Sequence, residues 1–161
     1  MDGTNITLVK YKSGLGVPGI MGPKLESAVE IATTPDGKSA KVVKTSFEEN
    51  GREKGKEETQ MSPESVVSVL ALVEDLQKVP MQSAPGIPDV FGKNTVVLVR
   101  KGKQVLWAYN PGAGGCCSGC GAHDEDEQQQ VAPSVADDHK EQFANIVDSL
   151  SKAADSSFSS K

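Results

Sequence analysis

Aromatic residues make up 4% of this 161-residue chain, with a single tryptophan among them. A core of ordinary size must therefore come mostly from Val, Leu, Ile and Ala, and the length suits one domain. Basic residues are also in short supply: 17 Lys and Arg stand against 22 Asp and Glu, a net charge of −5. A chain without a basic excess lacks the cationic stripe that a phosphate backbone requires, which argues against a nucleic-acid partner. Long apolar runs are missing as well. The longest, Val66 to Val73, is interrupted by Ser68 and reads as part of an amphipathic helix, so no membrane partner is expected. Cysteine is scarce and odd in number, and all three residues fall between positions 116 and 120, which is no disulfide framework. The start Met-Asp-Gly-Thr-Asn has neither the basic nor the apolar region of a secretory signal, so a cytoplasmic location is expected.

What the sequence does have is a hairpin signal. Thr95 to Arg100 and Gln104 to Tyr109 are β-branched and aromatic runs joined by a short polar turn with one glycine. Taking Lys101-Gly102 as the two turn residues, Val96 faces Trp107, Leu98 faces Val105 and Arg100 faces Lys103. Val97, Val99, Leu106 and Ala108 then fall on the opposite face. Both faces are apolar, which predicts a central strand pair or a face meant for a partner. Upstream, Ile6 to Tyr11 reads as a strand with Ile6 and Leu8 on one side and Val9 and Tyr11 on the other. A second hairpin is predicted for Ala28–Thr33 and Ser39–Phe47 around Thr34-Pro35-Asp36-Gly37-Lys38, where Pro35 presets φ and Gly37 can take a positive one. The mixed charges from Glu48 to Gln60 have no apolar period and read as a solvated loop or strand end.

Two helices complete the pattern. Ser62-Pro63-Glu64 combines a capping hydroxyl, a proline suited to the first helical position and an acid at the positive end of the dipole. Val66, Val69, Leu70, Val73 and Leu76 then recur at helical spacing, and Pro80 ends the helix near Lys78. Ser134 is placed to cap the last helix, whose stripe runs through Ala136, Phe143, Ile146, Val147 and Leu150 to Ala153. The expectation is a single α+β domain over 1–155, an antiparallel sheet of four or five strands backed by two helices. A flexible Cys/Gly/acidic insertion is expected at 111–133, and a disordered tail at 156–161.

Chemistry is thin. Cys116, Cys117, Cys120 and His123 supply three thiols and an imidazole, the ligand count of tetrahedral zinc, crowded into a loop that copper(I) would tolerate more readily. The competing reading is a glycine-rich loop with incidental thiols and no cofactor. A redox role for Cys117-x-x-Cys120 lacks the helix N-terminus that lowers a thiol pKa. His139 and Cys120 form no supported nucleophile and base pair, and the chain is expected not to be an enzyme. Gly14-Leu15-Gly16 begins a dinucleotide fingerprint without completing one, and the stretch Ser13–Pro23 reads as a shaped surface loop. Leu15, Val17 and Ile20 on that loop, with Trp107 and Tyr109 on the hairpin, are the candidate residues for binding a protein partner, and self-association through the same apolar hairpin is the alternative.

The order of elements is strand, Gly-rich loop, strands, helix, hairpin and helix. It carries Ser13-Gly-Leu-Gly-Val-Pro-Gly-Ile20 after the first strand, a Ser-Pro-Glu helix start, and Pro88-Asp89-Val90-Phe91 before the hairpin. In these features the chain resembles the emfourin family over roughly Ile6 to Ile31 and Ser62 to Leu150. It departs from that pattern in the extra material from Thr33 to Gln60 and in the cysteine loop. Founding members of the family inhibit thermolysin-like metallopeptidases, so the resemblance implies a non-catalytic protein with a peptidase as partner. No inhibitory residue transfers by position.

Overall fold

Six strands and two helices follow one another as β1 (Thr4–Ser13), β2 (Lys24–Thr33), β3 (Ala40–Phe47), β4 (Glu53–Met61), α1 (Pro63–Gln77), β5 (Thr95–Lys101), β6 (Gln104–Tyr109) and α2 (Asp137–Ser159). The computed structural model describes residues 2–13, 24–80, 94–109 and 137–159. All strands join one antiparallel sheet in the order β4-β3-β2-β1-β5-β6, so the α+β class expected from the sequence is what the chain forms.

The strand count exceeds the expected four or five because the charge run upstream of Ser62 is itself a strand. β4 is an edge strand in which every residue from Glu53 to Glu58 is exposed, so no apolar alternation marks it. Only Thr59 and Met61 turn inward, and Lys and Glu on the remaining positions are the means by which an exposed edge avoids pairing with another chain.

Buried side chains alternate along the strands and define one inner face. Ile6, Leu8, Val29, Ile31, Ala40, Val42, Val97, Val99, Trp107 and Tyr109 all belong to it and meet α1 and α2. α1 presents Val66, Val69, Val73 and Leu76, with Leu70 packed at the margin, as its spacing predicts. Ser62 caps this helix by accepting from the Ser65 N–H (3.4 Å), and the chain leaves at Lys78 before Pro80.

α2 crosses the strands from β6 to β4. Phe143 lies against Trp107 and Tyr109, with ring centroids 5.8 and 5.3 Å away. Val147 and Ser151 then line a small cavity with Leu8 and Thr95 and with Ser27 and Val29. Farther along, Asp155 accepts from the Lys44 ammonium (2.7 Å), and the Ser157 carbonyl accepts from the Thr59 hydroxyl (3.2 Å). The helix continues through Ser159, past the boundary at Asp155 where the serines led us to expect a disordered tail. Thr59, Lys44 and the half-buried Phe158 hold that last turn on the sheet.

Candidate interaction surface

The β5–β6 hairpin decides which side chains are available at the surface. Its turn residues are Gly102 and Lys103, closed by Lys101 opposite Gln104, rather than the expected Lys101-Gly102. The reason lies in the backbone: Gly102 has φ 58°, and the hairpin turn with one positive φ wants glycine at its first central position. A register shift follows, and β6 has one more residue than β5 between Arg100↔Val105 and Val99↔Trp107. That bulge turns Leu106 toward the core as well as Trp107.

Trp107 is consequently 2% exposed and Tyr109 0%, and both pack on Phe143 instead of facing outward. The Trp107 indole N–H donates to the Val79 carbonyl (2.8 Å), which satisfies its polar end inside the core. The expectation that these two rings anchor a partner is corrected: they hold α2 and the end of α1 on the sheet. Leu15, Val17 and Ile20 lie outside the described residues, as do Cys116, Cys117, Cys120, His123 and the 111–133 insertion. Among the described residues no three His, Cys, Asp or Glu side chains gather to hold a metal ion. No described helix is long and apolar enough to cross a membrane.

The outer face of the sheet is a different matter. Register places Ala28, Val9 and Val96 in one row across β2, β1 and β5, and Thr7, Leu98 and Ala108 in the next row across β1, β5 and β6. All six are half-buried, and both described helices lie on the other face. Tyr11 sits at the end of β1, and partial burial pushes its phenol above the ordinary pKa. Moving toward β4 the same face becomes mixed, with half-buried Val43 beside Glu30. Glu30 stands beside Thr7, Thr45 beside Ala28, and Lys41 forms a 2.8 Å ion pair with Glu58. The apolar sector thus covers the β1, β5 and β6 half and stops at β2.

Sequence alternation located half of this surface. Val9 and Tyr11 read as one side of β1, and the hairpin read as apolar on both faces. Pairing of β1 with β5, which merges the two into one patch, depends on long-range contacts that spacing does not encode.

The helices leave an open groove of about 390 Å³ lined by Leu72, Asp75, Asp138, Glu141, Gln142 and Ile146 among others. Asp75 is already engaged there: its carboxylate accepts from Lys78 (2.9 Å) and its carbonyl from the Gln142 amide (3.3 Å). The groove is a helix–helix seam bridged by the Gln142–Asp75 hydrogen bond. No family model, curated protein or solved structure matches this chain.

Proposed function

We propose that the chain is a non-catalytic protein-binding module of protease-inhibitor type, acting in the cytosol, and that its partner docks on the outer face of the sheet. The observation that supports this reading is the contiguous apolar sector formed by Val9, Ala28, Val96, Leu98 and Ala108 on the face opposite the helices. A contiguous apolar patch on a sheet face marks an interaction site more often than scattered exposed aliphatics do. A sheet also holds such a surface rigidly, which lowers the ordering cost of association. The emfourin resemblance supplies the partner class, a thermolysin-like metallopeptidase.

Titration of such a peptidase with the purified chain tests the proposal. The expected result is stoichiometric loss of peptide hydrolysis, with Leu98→Lys weakening inhibition by more than about tenfold while the far-UV circular dichroism stays unchanged. Full peptidase activity at saturating chain removes the inhibitor reading. Inhibition indifferent to Leu98→Lys and Val96→Lys removes the outer face as its site.

A further inference from the structure

We infer that two copies of this chain pair through β6, antiparallel and two-fold related, to continue the sheet across the dimer. β6 is the second edge of the sheet, and among the described residues β5 alone pairs with it. No residue from Gln104 to Tyr109 is charged, and among the described residues Val105 is one of two exposed large hydrophobics, 44% accessible. An edge strand ordinarily carries Lys, Glu or Pro to prevent addition of another strand. β4 does so with Lys54, Lys56, Glu57 and Glu58, whereas β6 bends at its bulge but has no such residue.

Val105 is the position where pairing would begin. The Lys101–Gln104 pair closes the turn, so the next pair, Arg100 and Val105, is the non-hydrogen-bonded type, and Val105 turns its own N–H and C=O away from β5. An antiparallel partner satisfies those groups.

The occupant is a second copy because the two ends of this edge carry opposite charge. Residues 94–109 include Arg100, Lys101 and Lys103 and no acid, all three at the tip of the hairpin. Asp2 beside Gly102, and Glu74 in the hollow that Lys101 also lines, offset part of that charge without reversing it. α2 crosses the sheet with its start at the β6 end, one to two turns before Phe143 meets Tyr109. That start carries Asp137, Asp138 and Glu141 against Lys140, which lies 3.8 Å from Asp137. Two-fold antiparallel pairing sets the basic tip of each copy beside the acidic helix start of the other, twice per dimer. Pairing in the parallel sense sets like charge beside like.

Sedimentation velocity on the full chain over a wide concentration range is the test. The expected result is a monomer–dimer equilibrium whose dissociation constant rises more than about tenfold in Val105→Lys, and likewise in Val105→Pro, which deletes an outward N–H without touching the β5 ladder. If the proline variant fails to fold by circular dichroism, the lysine variant decides. Lys101→Glu with Lys103→Glu weakens the dimer, and adding Asp137→Lys with Glu141→Lys restores it. A chain that stays monomeric throughout overturns the inference, and so does a dimer indifferent to Val105→Lys or a charge exchange without recovery.

Discussion

At one edge of the sheet β6 carries Gln104, Val105, Leu106, Trp107, Ala108 and Tyr109; at the other, β4 carries Glu53, Lys54, Lys56, Glu57 and Glu58. The first has its aromatic side chains locked under α2 and an apolar outer face. The second shows solvent to nearly every side chain and touches α2 through Thr59. Both are antiparallel edge strands with one irregularity in their pairing, although β4 has nine residues and β6 six. The difference lies in where their stability comes from. β6 is held by desolvated side chains, while β4 is held by its backbone ladder to β3 and a few polar contacts with the end of α2.

The largest effect expected from breaking this comparison is at the two ends of α2. Phe143 is fully buried on Trp107 and Tyr109, so Phe143→Ala should cost about 3–5 kcal/mol in urea denaturation. At the other end Lys44 and Asp155 are 34% and 57% exposed, so solvent and salt screen their 2.7 Å pair. Asp155→Asn should cost less than about 1 kcal/mol and less still in high salt. Equal losses at both ends would show that α2 is not anchored mainly by its aromatic contacts.

Legibility from sequence followed the same division. The hairpin at 95–109, the strand at Ile6–Tyr11, the turn at Thr34–Lys38 and the stripe Val66–Leu76 were readable because apolar residues report burial, and burial has a period. β4 was not readable, because a strand wet on both faces has no hydrophobic period and its charges look like those of a loop. The hairpin turn lies one residue later than the spacing predicts, but it is the bulge at Leu106, which spacing does not show, that moves Trp107 to the face of Val97 and Val99. Gly102 marks the turn itself, since a turn of this type wants glycine at its first central position. The Ser-rich end of α2 was read as disorder because its helical contacts, Thr59 with Ser157 and Lys44 with Asp155, span 98 and 111 residues of chain.

A smaller effect separates the two tight turns. The β5–β6 turn depends on Gly102 at φ 58°, where a Cβ would also crowd the Asp2 carboxylate. Asp2 is exposed and can move aside, which leaves the backbone as the main cost. Gly102→Ala should lower stability by about 1–2 kcal/mol. The β2–β3 turn spreads its support more widely. Asp36 accepts from the Thr34 hydroxyl and the Lys38 N–H, and Gly37 sits at φ 68°. Those hydrogen bonds, that from Thr34 first, hold the Asp36 carboxyl below its ordinary range. A folded pKa lower than the unfolded one gives stability present above the ordinary aspartate pKa and lost as pH falls through the lowered value. The pH dependence of unfolding in that acidic window should flatten in Asp36→Asn, while Gly102→Ala should leave its shape unchanged.

The smallest expected change in stability comes from stripping charge off β4, and it is the one that sharpens the contrast between the edges. Lys54, Lys56 and Glu58 are exposed, and Lys41–Glu58 is a surface pair with 54% and 55% exposed side chains, so none contributes much to folding. Replacing Lys54, Lys56 and Glu58 together by Thr keeps strand propensity and should move the unfolding free energy by no more than about 0.5–1 kcal/mol. Association should nonetheless change. With only Glu53 and Glu57 left charged, β4 becomes a far less protected edge, and a sheet open at both edges can extend without limit instead of closing as a pair. Light scattering at rising concentration should show the triple variant growing past dimers, whereas the parent chain stops there. Adding Val105→Lys to the triple variant should cap growth again at a dimer joined through β4. If the triple variant scatters like the parent at every concentration, charge on β4 is not what keeps that edge closed, and the contrast with β6 would have to rest on geometry alone.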